Sequence, residues 1–108
     1  IFHGTMSAVG VVTLEGGRQL KVSSAATPGR RVGVLMRPER FVPSGAGAGA
    51  NAFSGEVVES VYLGTSFKLR LACEGGLELL VRQPARGELP APGARVMVGI
   101  DPDAIHVF

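Results

Sequence analysis

The order of motifs in the first half of this chain recurs in the second, and this duplication constrains the fold more than any other feature. Phe2-His3-Gly4 corresponds to Phe53-Ser54-Gly55. Residues 11–22 correspond to 69–81, each placing Glu-Gly-Gly between two short alternating segments, Glu15-Gly16-Gly17 and Glu74-Gly75-Gly76. Residues 27–42 correspond to 91–107, where Pro-Gly is followed by Arg-Val, an apolar run and a charged-Pro-charged break. A repeated all-β unit is the simplest account of that order.

The local chemistry agrees. Leu69 and Leu71 alternate with Lys68 and Arg70, the period of two expected of a strand with one buried face. Glycine tolerates positive φ, so both Glu-Gly-Gly segments suit hairpin turns, and Pro28-Gly29 and Pro92-Gly93 suit the centres of type II turns. Residues 56–63 are the one stretch with helical potential, but Val57-Val58 and Val61-Tyr62 favour strand. Short strands separated by glycine and proline turns predict small OB-like (MOP-like) barrels in tandem duplicate. Residues 1–43 form the first half and 53–108 the second. The Gly/Ala-rich stretch 44–52 reads as a linker, about 16 Å long if it behaves as a flexible coil.

Composition removes several classes of function. At 108 residues, 45% hydrophobic and 19% charged, the chain is globular and of single-module size. Its formal charge of +2 is dispersed, with five Phe, one Tyr and no Trp. That is a poor platform for nucleic acid, and Lys68, Arg70 and Arg82 read as a solvated strand face. Cys73 is alone, so no internal disulfide forms. No apolar run approaches the roughly 20 residues of a membrane helix. The opening Ile1-Phe2-His3 reads as the start of a piece of a longer protein.

Sixteen glycines invite a phosphate loop, yet no Gly-Lys pair exists, and the glycines of 45–49 precede a strand. His3, His106 and Cys73 show no ligand-pair spacing, so no metal is expected. Arg37-Pro38-Glu39 and Asp101-Pro102-Asp103 look like charged sites, but they occupy equivalent points of the repeat with Arg37 opposite Asp101. A reaction would not survive that exchange of charge, whereas a proline-set strand break would. Neither a Gly-x-Ser-x-Gly elbow nor a Cys-His arrangement suggests a nucleophile. No catalysis is expected of this chain.

From Asn51 onward the residues resemble a known family. Asn51-x-Phe53-x-Gly55-x-Val57, then Tyr62-Leu63-Gly64, then Pro92-Gly93 with Arg95-Val96, then Asp101-Pro102 and a final apolar strand, is similar to the TOBE domain, the transport-associated OB module of ATP-binding cassette import ATPases. Arg37-Pro38-Glu39 after Val32–Met36 matches the Arg-Pro-Glu of the same family. Together with Tyr62-Leu63-Gly64 it is most similar to the spermidine/putrescine type. Ile100 departs from the aromatic residue that many relatives carry before Asp-Pro.

The resemblance implies two OB-like barrels that exchange their C-terminal strands. It implies a regulatory and dimerisation module, cytoplasmic and peripheral to the inner membrane. Its partners would be the nucleotide-binding domain of the same chain, a second ATPase subunit and membrane permeases, without nucleic acid. ATP and Mg would belong to an upstream domain of a parent ATPase coupled to import, leaving no cofactor for this piece. Interface candidates are Arg37, Pro38, Glu39, Tyr62, Leu63, Gly64, Asp101 and Pro102. Related barrels in molybdate systems hold oxyanions, so an oxyanion-binding module is the alternative, with Arg37 or Arg95 as donors. A single-stranded nucleic-acid binder is a weaker one.

Overall fold

In the computed structural model, which describes residues 1–43 and 51–108, the duplication becomes two five-stranded antiparallel sheets, each curled into a half-barrel. The first half supplies β1 (Phe2–Ala8), β2 (Val11–Leu14), β3 (Gln19–Lys21), β4 (Arg31–Met36) and β5 (Val42–Pro43). The second supplies β6 (Ala52–Tyr62), β7 (Ser66–Cys73), β8 (Glu78–Pro84), β9 (Arg95–Gly99) and β10 (Ile105–Val107). Among the described residues there is no α-helix, and residues 56–62 are strand as the valine pairs predict. Of the stretch read as a linker, residues 44–50 lie outside the described residues. Asn51 is fully buried and Ala52 opens β6.

The two sheets exchange their last strands. The orders are β10-β4-β1-β2-β3 and β5-β9-β6-β7-β8, so each half completes the other's sheet. Ile105, His106 and Val107 pair with Met36, Leu35 and Val34, while Val42 and Pro43 pair with Gly99 and Val98. The segments that carry the chain across are the two charged-Pro-charged breaks, each a single 3₁₀ turn, Pro38–Arg40 and Pro102–Ala104. Their geometries match despite opposite charge. Arg37 and Asp101 have φ/ψ of −71°/134° and −67°/139°. The N–H of Arg40 donates to the Arg37 carbonyl at 3.0 Å, and that of Ala104 to the Asp101 carbonyl at 2.9 Å. Proline fixes the first residue of each turn and has no N–H to continue the preceding strand.

The remaining repeated motifs have equally local causes. Arg30 N–H to Thr27 carbonyl at 3.2 Å and Ala94 N–H to Ala91 carbonyl at 3.0 Å close the two Pro-Gly turns, with Gly29 and Gly93 at φ +92° and +91°. The two Glu-Gly-Gly hairpins approach each other closely, and a Cβ on Gly16 would lie 2.9 Å from the Gly75 carbonyl oxygen. Gly4 and Gly55 sit where neighbouring strands press in. A Cβ on Gly4 would stand 2.6 Å from the Thr13 oxygen, and one on Gly55 2.9 Å from the Cys73 sulfur.

One hydrophobic cluster runs through both half-barrels. It joins Met6, Val12, Leu20 and Val34 to Phe53, Leu71, Leu79 and Val81, all essentially without exposure. Phe41, just past the first crossover, meets Phe53 edge-on with ring centroids 6.2 Å apart, a geometry that adds about 0.5–1.5 kcal/mol to simple burial. Arg18 of the first half lies 4.3 Å over the same Phe53 ring and donates to the Ala52 carbonyl. Asn51 makes the most specific link. Its Oδ1 accepts from the Lys21 N–H and its Nδ2 donates to the Lys21 carbonyl, both at 2.8 Å, capping edge strand β3. Its own carbonyl accepts from the Ile100 N–H at 3.2 Å.

Candidate functional site

Neither sheet closes on itself by hydrogen bonds, so each half-barrel has a seam between its two edge strands: β3 and β10 in the first, β5 and β8 in the second. The repeat allows the seams to be compared residue for residue. Counted from the shared Glu-Gly-Gly, Ser23 is equivalent to Arg82, and by the crossover turns Asp103 is equivalent to Glu39. In the first seam Ser23 Oγ donates to Asp103 Oδ1, which ties the crossover turn to the end of β3. In the second, the crossover turn also packs against β8, yet Arg82 and Glu39 form no ion pair among the described residues, and both line a groove of about 460 Å³.

The walls of this groove follow from the edges. Val42 and Pro43 of β5 face Arg82, Gln83 and Pro84 of β8, above a floor of Phe41, Phe67 and Leu69. Proline on an edge strand has no N–H for a neighbour, and Pro43 and Pro84 therefore blunt both sides of the seam. The loop after β8 adds Arg86 and Glu88.

The polar groups at the groove are short of partners. Arg82 is exposed, its Nε donates to the hydroxyl of buried Ser66 at 3.1 Å, and its terminal nitrogens make no hydrogen bond among the described residues. Gln83 alternates inward with Leu79 and Val81, and its buried Nε2 has no hydrogen-bond partner. Buried amide donors are nearly always satisfied, which makes this nitrogen, on a residue that lines the groove, an exception among the described residues. None of Glu39, Arg82, Arg86 and Glu88 is ion-paired among the described residues. Such a surface can bind and orient a small charged molecule. Among the described residues that line the groove there is no nucleophile with an adjacent base to transform one.

The residues expected from the sequence fall in three places. Arg37, Pro38 and Glu39 form the first crossover, with Arg37 exposed and Glu39 on the groove. Tyr62, Leu63 and Gly64 make the exposed tip of the β6–β7 hairpin, where Gly64 has φ +89° and the Tyr62 ring meets Phe67 edge-on at 6.0 Å. Phe67 thus meets the Tyr-Leu-Gly tip and shares the lining of the groove with Glu39. Asp101 and Pro102 lie apart from both, in the crossover to the first half-barrel, where Asp101 Oδ1 accepts from the Asp103 N–H at 2.9 Å. Arg95 is exposed outside the groove, and His106 is outward-facing on β10 as its alternation predicts. Among the described residues, no three His, Cys, Asp or Glu side chains cluster as a metal site would require. Sequence reasoning missed Gln83, Arg86 and Glu88 and took Arg82 for an ordinary strand face. The available signal was the pair of edge prolines, together with the replacement of the Ser23–Asp103 pair by Arg82 and Glu39.

Cys73, beside Gly55 and away from the groove, is half-buried. Burial pushes its thiol up from the ordinary value, against the opposing pull of the Arg18 and Arg95 charges.

No curated protein matches the chain. Among solved structures, the molybdate-bound, PEG-grown form of the cytoplasmic molybdate-binding protein ModG superposes with a TM-score of 0.80, covering 98% of this chain and 92% of that one at 18% identity. At that identity the likeness establishes the fold, a tandem OB/MOP arrangement. Residues 34–108 match the model of the TOBE domain, a span that begins inside β4 and takes in the first crossover, the groove and both exchanged strands. By that match, over well more than half its length, the chain belongs to the TOBE domain family.

Proposed function

We propose that this chain is a non-catalytic binding module whose ligand carries a small oxyanion, held in the seam between β5 and β8. The observation that carries the reading is the groove along the second seam, lined by Arg82, Arg86 and Gln83, whose amide nitrogen has no hydrogen-bond partner among the described residues. A guanidinium presents planar, directed N–H donors to an oxyanion, and a free amide adds another. The fold shared with a molybdate-binding protein supports the same class of ligand. Arg37 and Arg95, the donors expected from the sequence, give way to Arg82 and Arg86 because the former lie outside the groove.

Calorimetry with molybdate, sulfate and phosphate tests this directly. Binding of at least one of them, weakened tenfold or more by Arg82→Gln, is the expected result. Absence of heat at millimolar concentration with these three and with organic carboxylates and ω-amino acids overturns the reading.

A second, compatible reading is a regulatory and dimerisation module of the ATP-binding subunit of an import system; membership of the TOBE family supports it, and the spermidine/putrescine type rests on the resemblance of Arg37-Pro38-Glu39 and Tyr62-Leu63-Gly64 alone. Its interface would use the exposed Tyr62-Leu63-Gly64 tip and Arg37, its partners being the nucleotide-binding domain, a second ATPase subunit and membrane permeases. A parent reading frame without a phosphate-binding loop upstream of Ile1 would remove it.

A further inference from the structure

We infer that the occupant of the β5–β8 groove is an organic zwitterion, an anionic group joined to an ammonium through an apolar body, and not a bare inorganic oxyanion. This rests on the proposed anion recognition by Arg82 and adds a second subsite to it. Three observations lead there. The groove's 460 Å³ lies within the range of roughly 300–1,000 Å³ typical of organic ligand sites, far more room than four oxygens around one atom require. Its floor is apolar, built from Phe41, Phe67 and Leu69, which would leave a hydrated inorganic ion in contact with carbon.

The third observation is charge. Glu39 stands on the crossover wall and Arg82 on the β8 wall, and the loop beyond contributes one charge of each sign, Arg86 and Glu88. In the first seam the equivalent positions satisfy each other through Ser23 and Asp103; here all four charges are unpaired among the described residues. An anion alone would answer Arg82 and Gln83 but leave Glu39 repelling it. A cation alone would do the reverse. A molecule with both groups answers both walls and covers the aromatic floor between them.

Calorimetry with the ω-amino acid series from β-alanine to ε-aminocaproate tests the inference, with caproate and hexylamine as single-charge controls and sulfate and molybdate alongside. At least one ω-amino acid is expected to bind tenfold or more tightly than either control. Glu39→Gln should erase the advantage over caproate, and Arg82→Gln the advantage over hexylamine, with both variants retaining the folded circular dichroism spectrum at the assay temperature. If sulfate, molybdate or caproate binds through Arg82 and no ω-amino acid does better, the zwitterion inference is overturned while anion recognition stands. If ω-amino acids bind with affinities indifferent to Arg82→Gln, anion recognition at Arg82 falls, and the inference falls with it. Silence from every compound overturns both.

Discussion

Replacing Asn51 by alanine is the most demanding test of how the two half-barrels are joined. The side chain is fully buried and makes two hydrogen bonds of 2.8 Å to the backbone of Lys21. Each contributes about 0.5–1.5 kcal/mol net, and a backbone group left without a partner beneath protein costs about 1–3 kcal/mol. Partial entry of water into the vacated space tempers the second effect, so a loss of about 3 kcal/mol is expected. For a chain of this size about 4 °C accompanies each kcal/mol, which places the melting midpoint roughly 12 °C lower.

Urea unfolding followed by far-ultraviolet circular dichroism measures the loss, and Asn51→Asp adds a signature that truncation lacks. The aspartate keeps an acceptor for the Lys21 N–H but needs a proton to donate to the Lys21 carbonyl. Its folded pKa is therefore expected to rise above the unfolded value of about 3.9. The stability it contributes is fully present below that unfolded value and is lost as pH rises through the folded one. Asn51→Asp should thus approach the parent protein near the acid end and resemble Asn51→Ala at neutrality. A cost below about 0.5 kcal/mol for alanine, the level of an ordinary surface change, would refute the bridging role. So would an aspartate variant whose deficit ignores pH.

Other expectations rest on equally specific contacts. Gly4→Ala should destabilise more than Gly55→Ala, because its Cβ meets a strand carbonyl at 2.6 Å, whereas that of Gly55 first meets the Cys73 sulfur at 2.9 Å; denaturant midpoints in the reverse order would be incompatible with this. Arg37→Ala should leave stability within about 0.5 kcal/mol, since Arg37 is exposed and makes no side-chain cap bond, while Asp101→Ala should cost up to about 1 kcal/mol through loss of its bond to the Asp103 N–H. Thermal melts of the pair decide it, and unfolding by the arginine change would make that residue architectural. Cys73 should react with iodoacetamide more slowly than glutathione at pH 8, because burial disfavours its thiolate; a faster reaction would contradict that environment. Since this folded pKa is raised, the stability it contributes is intact below the ordinary thiol range and lost as pH climbs through the folded value.

What was legible in the sequence was whatever depends on neighbours along the chain. Glu-Gly-Gly announced its hairpins and Pro-Gly its turns, because glycine at positive φ and proline at fixed φ act within three or four residues. Recurrence of the break with Arg37 and Asp101 interchanged marked it as a turn, and the two matching geometries agree. The strand exchange entered through family resemblance alone, since nothing in Val42-Pro43 or Ile105–Val107 names the sheet each will join. Asn51 looked like the tail of a glycine-rich stretch because its partners, Lys21 and Ile100, lie far away along the chain. The groove was hidden for a related reason. Arg82 on an edge strand is an unremarkable residue until its equivalent, Ser23, is seen closing the other seam.

The exchanged strands also decide when this protein can fold as it is made. A ribosome that has synthesised β1 to β4 has produced most of the first half-barrel, yet the strand that flanks β4 is β10, the last of the ten described strands. Until Val107 emerges, that flank of β4 has only a substitute partner or none. The half-barrel finished first is the second one, since β5 is already waiting when β6 to β9 appear. Order of synthesis and order of completion are therefore reversed, and a ribosome that stalls before β10 leaves the half-barrel begun first as the one still open.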